Sequence, residues 1–269
     1  MNFLQPLFII ALFLLGSALG SFISVISYRL HSKKTGIITG RSQCPDCEAP
    51  LQTRDLIPLI SYLYLRGKCR HCNKEISYLY PLLEIISGFL FVTLFFKFPF
   101  IDDALNVNGN FIFLYALWGF YTFILIFTFL HDLRYFKTSD QILIPGILVG
   151  LIATFSSLTP HLIDSLLGLG IAVTFFGLQI AISKGRWLGG GDLRVGALMG
   201  VILGWKLTVL ALIVAYMTGS VVGVTVAIKK GHIRDVKIPF APFLVVGTFI
   251  AFYYGDVILG WYLNYLNIS

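Results

Sequence analysis

The sequence predicts an all-α integral membrane protein of about eight transmembrane helices with one sizeable polar loop. Three observations carry this. Hydrophobic residues fill 57% of the 269 positions and charged residues only 12%, about half the charged fraction of a soluble domain. Mean hydropathy is +0.84. The apolar residues also come in runs close to the ~20 residues a helix needs to cross hydrocarbon, and short basic stretches separate the runs.

Taken in order, spans are expected at roughly 4–27, 78–97, 111–130, 141–158, 161–182, 192–204, 207–228 and 239–255. The first lacks a basic leading region and an Ala-x-Ala site, so it reads as a permanent anchor rather than a cleaved signal. The sixth is short. The aromatic tail 256–268 is expected to lie along the membrane interface. Pro81, Pro145 and Pro239 stand near segment starts, where proline does not break a helix. The chain therefore divides into a first helix (1–27), a loop domain (28–77) and a transmembrane bundle (78–269).

Orientation follows from the basic residues. With eight crossings and the N-terminus outside, the loops 28–77, 131–140, 183–194 and 229–238 share one side and hold nine, two, three and four Lys/Arg, 18 of the 20 in the chain. Only Lys97 and Lys206 fall opposite. Cytoplasmic loops carry this bias, so those four loops are expected in the cytoplasm. The net charge of +7 then reflects membrane orientation and contact with the lipid bilayer, and calls for no nucleic acid.

All four cysteines lie in the 28–77 loop, as Cys44-Pro45-Asp46-Cys47 and Cys69-Arg70-His71-Cys72. Two such knuckles can converge on one tetrahedral zinc. The competing readings are two disulfides or four free thiols; a reducing cytoplasm disfavours disulfides. A loop of this size builds too little core to stand alone, so a metal staple is physically sensible. His71 is an alternative ligand, better read as a neighbour of a complete four-cysteine set. Such a closed site is structural and leaves no open catalytic position.

Two aspartates border the apolar runs on the same side as these loops. Asp132 follows the third run in Phe129-Leu130-His131-Asp132, and Asp192 follows three glycines in Gly189-Gly190-Gly191-Asp192. Ionisable residues at a bilayer boundary are costly unless wetted or paired, which makes them functional candidates. Two carboxylates brought together can share a proton, one serving as base and the other as acid. Read singly, Asp192 also suits a helix cap and Asp132 an interfacial charge paired with Arg134 or His131. Three glycines exceed what a cap needs and would let an extended strand approach the carboxylate. Asp140 is expected to cap a helix starting near Gln141. Glu84 sits one turn inside the second span, where an ion pair with a loop base is the plain reading.

Several motifs, in order and nearly end to end, make the chain resemble the type IV prepilin peptidases, bifunctional leader peptidases and N-methyltransferases. Gly20-Ser21-Phe22-Ile23-Ser24-Val25-Ile26-Ser27-Tyr28-Arg29-Leu30 is similar to the family's opening motif. Leu56-Ile57-Pro58-Leu59-Ile60-Ser61-Tyr62-Leu63 and Arg66-Gly67-Lys68-Cys69 stand between the cysteine pairs, and Tyr80-Pro81-Leu82-Leu83-Glu84 follows. Asp132 through Asp140, Gly189-Gly190-Gly191-Asp192 (the Gly-x-Gly-Asp signature) and Ile238-Pro239-Phe240-Ala241-Pro242-Phe243 complete the series. Ser139, Leu79, Ser24 and Arg194 depart from the usual Pro, Arg, Asn and Lys. None of these removes a carboxylate or a cysteine.

The resemblance implies a bacterial cytoplasmic-membrane enzyme whose active site faces the cytoplasm. Asp132 and Asp192 would be its catalytic pair, supported by Gly189, Gly190 and Gly191. Its substrates would be prepilins or pseudopilins, cleaved after a glycine behind a short basic leader. It also implies N-methylation of the new terminus from S-adenosylmethionine, with Gly67, Lys68 and Glu84 as candidate methyl-transfer or substrate residues. No Gly-x-Gly-x-x-Gly loop follows a strand, so a Rossmann-type site for that donor is not expected. A transporter or channel with an aspartate relay is the contrasting class; its inverted repeats and midplane charges are not evident.

Overall fold

The computed structural model describes residues 4–32, 40–101, 106–230 and 238–265. Of the basic loop residues counted above, Lys33, Lys34, Arg234 and Lys237 lie outside the described residues, as does the end of the aromatic tail, 266–268. The described residues form eight α-helical elements and no strand: α1 (Leu4–Ser32), α2 (Ile60–Tyr64), α3 (Leu79–Lys97), α4 (Gly109–Tyr135), α5 (Asp140–Ala153), α6 (Leu162–Ser183), α7 (Gly190–Lys230) and α8 (Ala241–Tyr265). Helix satisfies every backbone donor and acceptor within its own segment, the condition for crossing hydrocarbon. Six of these, α1, α3, α4, α6, α7 and α8, are long and apolar enough to cross a membrane.

One expected span falls short, and two others are joined in a single helical element. At 14 residues, α5 rises about 21 Å, short of the ~30 Å hydrocarbon core. Conversely, α7 runs 41 residues but breaks at Gly204, whose φ of 73° and ψ of 173° are not helical. An unbroken helix of that length would be about twice the hydrocarbon thickness. The break divides α7 into two arms that match the expected segments 192–204 and 207–228. The tail differs from expectation. It forms no separate interfacial piece, because no proline interrupts the run and α8 continues through it to Tyr265.

The chain packs as two compact units, residues 1–127 and 128–269. In the first, α1 crosses α3 through small residues. A Cβ on Gly16 would stand 2.6 Å from the Ser87 carbonyl, and one on Gly20 would stand 2.6 Å from Ser87 Oγ. Hydrocarbon gives helices no hydrophobic reason to associate, so close backbone approach and van der Waals contact must hold this crossing. The Tyr115 hydroxyl of α4 donates to the Phe91 carbonyl of α3 at 3.2 Å.

The second unit repeats the device between α6 and the first arm of α7. Gly168 and Gly200 approach so closely that a Cβ on either would strike the other's backbone. Ser165 Oγ donates to the Val201 carbonyl at 2.8 Å on the same seam. Against α8, Gly247 packs on the Ala211 backbone. Gly170 and Gly177, also on α6, face open space.

These contacts separate the structural glycines of the α6–α7 seam from incidental ones on α6. Gly168→Leu or Gly200→Leu is expected to cost about 1–3 kcal/mol or to abolish folding, as overpacking does. Gly170→Leu and Gly177→Leu should stay within about 0.5 kcal/mol of the parent. Thermal unfolding in detergent micelles would compare them, and equal losses at all four sites would refute the seam.

Candidate active site and metal centre

The described part of the 28–77 loop contains two copies of one hairpin. In the first, Cys44 N–H donates to the Ala49 carbonyl and Glu48 N–H to the Cys44 carbonyl, both at 3.0 Å. In the second, Cys69 N–H donates to Lys74 at 2.8 Å and Asn73 N–H to Cys69 at 3.0 Å. Glu48 and Asn73 hold the same left-handed position, at φ 55° and 57°. Each tight turn throws both of its cysteine side chains to one side.

The four sulfurs of Cys44, Cys47, Cys69 and Cys72 lie within 4.8 Å of one another. Cys44 Sγ and Cys72 Sγ are 4.0 Å apart, so they are not bonded as a disulfide. Thiolates about 2.3 Å from a tetrahedral metal stand about 3.8 Å from each other, so the set fits such an ion. The backbone N–H of Cys72, working against burial and helped by that of His71, draws the Cys69 thiol down to about 7. His71 thus contributes its main chain to the cluster, and the four cysteines are the group that could hold a metal ion.

Around the knuckles, Asp55 joins a short 3-10 turn (Thr53–Asp55) to the second hairpin. Its Oδ2 accepts the Gln52 N–H at 3.1 Å and its Oδ1 accepts Arg70 Nη2 at 2.7 Å. Burial would raise the Asp55 carboxyl, but the Arg70 bonds outweigh it and hold the group below its usual range. Gly67 has φ 69°, and a Cβ there would stand 3.1 Å from the Tyr62 hydroxyl. Its glycine identity therefore has a local steric cause. Lys68 is exposed and opens the second hairpin opposite Glu75.

Glu84 is buried on α3. Its Oε2 accepts the Leu59 N–H at 2.8 Å, and the Ser21 hydroxyl bonds it as well. The expected ion pair with a loop base is replaced by these neutral donors.

The second unit holds both candidate aspartates. Asp132 lies in the last turn of α4 and is buried. Its Oδ2 accepts the N–H of Ala241, the first residue of α8, at 3.1 Å. That donor is one of the unpaired N–H groups of a helix start, and the following Pro242 has none to offer. The helix end of α8 therefore steadies the charge. Just after Asp132, Phe136 closes α4 in a left-handed conformation (φ 53°), with its N–H on the Asp132 carbonyl at 2.8 Å.

Asp192 lies in the first turn of α7, half-buried, and its Oδ2 accepts the Gly189 N–H at 3.3 Å. The carboxylate reaches back to clamp the turn before it, one half of a capping box. Asp192 is thus inside the helix rather than at its cap. The Asp132 and Asp192 carboxylates are close enough to repel each other electrostatically. Of the three glycines, only Gly191 is sterically required, because a Cβ there would collide with Thr138. Gly190 faces open space and Gly189 nearly so, and both are exposed.

Asp140 makes a different contact. It is the first residue of α5, with Ser139 as the cap, and its Oδ1 pairs with Arg194 Nη1 at 2.7 Å. The helix starts one residue earlier than expected, and the ion pair links the start of α5 to α7. The Ala241 N–H is a site group that sequence reading missed. Its only signal was the Ile-Pro-Phe-Ala-Pro motif, which shows no side-chain chemistry.

Residues 14–98 match the Bacterial Peptidase A24 N-terminal domain and residues 119–224 match the Type IV leader peptidase family. The first match contains the cysteines and Glu84, the second Asp132 and Asp192. A prepilin leader peptidase/N-methyltransferase of Aeromonas hydrophila is 30% identical over 232 residues, covering 85% of this chain and 76% of the relative. One of Bacillus subtilis is 30% identical over 257 residues, covering 94% and 97%. One of Legionella pneumophila is 29% identical over 274 residues, covering 92% of each. No solved structure matches the chain. The motif order, the shared length and both domain matches agree: this chain belongs to the type IV leader peptidase family.

Proposed function

We propose that this chain is a membrane aspartic endopeptidase that removes the short basic leader of type IV prepilins or pseudopilins after a glycine and then methylates the new N-terminal amine. The observation that carries the peptidase reading is the pair of interacting carboxylates, Asp132 from the end of α4 and Asp192 from the start of α7, each steadied by a backbone N–H. The bias of Lys and Arg to four loops supports a cytoplasmic active face in the bacterial inner membrane.

In the proposed reaction a water lies between the carboxylates, which together hold one proton. The ionised member takes a proton from water as oxygen attacks the scissile carbonyl. The protonated member donates to the carbonyl oxygen. Collapse of the tetrahedral intermediate breaks the C–N bond: the proton held by the base passes to the leaving amine, and a diol hydroxyl returns a proton to the other carboxylate. The exposed Gly189 and Gly190 leave room for an extended strand beside Asp192, and an extended strand is the form in which a peptide bond can be attacked.

Each aspartate is expected to be indispensable. Asp132→Asn and Asp192→Asn should each reduce leader cleavage at least ~100-fold, the scale of a lost acid–base group. Asparagine can still accept the Ala241 or Gly189 N–H, so insertion should be retained. Asp140→Asn, which loses only the Arg194 pair, should keep most of the activity. Gel-shift assays with purified prepilin would check all three, and efficient cleavage by either dyad variant would refute the assignment.

The cysteine knuckles are proposed to hold structural zinc, whose bond to four thiolates supplies folding energy to a loop with little core of its own. The purified chain is expected to contain about one zinc. Cys44→Ser or Cys72→Ser should lower both metal content and protease resistance of the loop. Absence of metal with four freely reactive thiols would refute the staple.

Methyl transfer is proposed to draw its methyl group from S-adenosylmethionine and to use Lys68 and Glu84 in the 28–77 loop and α3, with Gly67 shaping the turn. It needs a different alignment from hydrolysis, an amine against a methyl carbon rather than a carbonyl between carboxylates. Lys68→Ala should impair methylation more than cleavage, whereas Asp192→Asn given an already processed pilin should still methylate it. Incorporation of labelled methyl groups, scored beside cleavage, would separate the two. Parallel loss of both activities in both folded variants would refute separate sites.

A further inference from the structure

One stretch of the 28–77 loop turns its apolar side chains outward. Leu56, Ile57, Ile60, Leu63 and Tyr64 are 40%, 45%, 60%, 73% and 77% exposed. Their positions recur at the spacing of one helix face, although only Ile60–Tyr64 is helical. A cluster of this kind on a polar loop marks a contact surface. Arg54 and Arg66, both exposed, flank it.

The cluster is held at a definite height on the membrane helices. Pro58-Leu59-Ile60 forms a γ-turn, with Ile60 N–H on the Pro58 carbonyl at 2.6 Å and Leu59 at φ 62°, ψ −48°. This conformation is strained for any residue with a Cβ and needs an external hold. Glu84 provides it by accepting the Leu59 N–H at 2.8 Å. Glu84 is five residues beyond the start of α3, a rise of about 8 Å. Around that level α3 begins to expose its own apolar side chains, Leu82, Ile85 and Ile86. The turn is thus tied to α3 where its exposed apolar surface starts, the level at which a spanning helix would meet the membrane interface.

We infer that Leu56–Tyr64 is an interfacial anchor seated in an anionic phospholipid surface, with Arg54 and Arg66 at headgroup phosphates. Aromatic and aliphatic side chains bordered by bases suit that layer, where Tyr64 keeps its hydroxyl in water. The charge excludes the obvious rival. The leader of the proposed substrate is basic, and two flanking arginines would repel it; this exclusion rests on the proposed function, whereas lipid contact does not.

The test uses the full zinc-bound chain carrying the photocrosslinker benzoylphenylalanine in place of Leu63 or Tyr64. It is reconstituted in vesicles of phosphatidylglycerol and phosphatidylethanolamine, with prepilin present, and adducts are identified by mass spectrometry. Lipid adducts are expected at both positions. They should fall severalfold in Arg54→Gln/Arg66→Gln protein and in vesicles of phosphatidylcholine alone. Adducts to prepilin or to a second copy of the chain, or no adduct at all, would overturn the inference, as would lipid adducts indifferent to both changes. Running the same test in Asp192→Asn protein separates the outcome from the peptidase assignment, because adduct formation needs no cleavage.

Discussion

The hydrogen bond from the Ala241 N–H to Asp132 links two constraints that would each be costly alone. A buried carboxylate needs a donor, and a helix starting in an apolar bundle has N–H groups with no partner of their own. One contact answers both. It also joins the end of α4 to the start of α8, although 109 residues separate the two positions in the chain. The donor offsets part of the cost of burying one member of the proposed acid–base pair.

Asp192 solves the same problem with a local donor. Its clamp on Gly189 keeps the turn before α7 tight, while Gly191 lets Thr138 approach and brings the α4–α5 turn alongside. The Asp140–Arg194 pair holds the same two segments a few residues away. Three neighbouring contacts therefore govern one juxtaposition, and each uses a different physical means: hydrogen bonding, close packing and charge. Precise positioning of this sort is what acid–base chemistry on a shared water demands.

The 28–77 loop shows the opposite economy. Its order comes from two short hairpins converging on four sulfurs, an Asp55–Arg70 tie and the Glu84 hold on a strained turn. Little of it is apolar core. The outward-facing residues Leu56–Tyr64 fit that poverty among the described residues, and the proposed membrane surface would give them an environment.

The sequence by itself determined the all-helical membrane class, most of the spans and the candidate chemistry, although six helices rather than the expected eight are long and apolar enough to cross a membrane. Apolar runs of spanning length are a property of local composition, and paired Cys-x-x-Cys turns carry their ligand geometry within four residues. Even the division of α7 was legible as two apolar segments meeting near Gly204. Tertiary structure decided what local pattern cannot encode. Gly189, Gly190 and Gly191 read alike in the sequence, yet only Gly191 is pressed against a neighbour, because Thr138 comes from another segment. Asp132 and Asp140 occupy one short stretch, yet a distant backbone donor holds the first and Arg194 the second. Glu84 read as half of an ion pair and is bound by neutral donors. Burial, close approach and long-range hydrogen bonds depend on which helices meet, and that is settled only when the bundle packs.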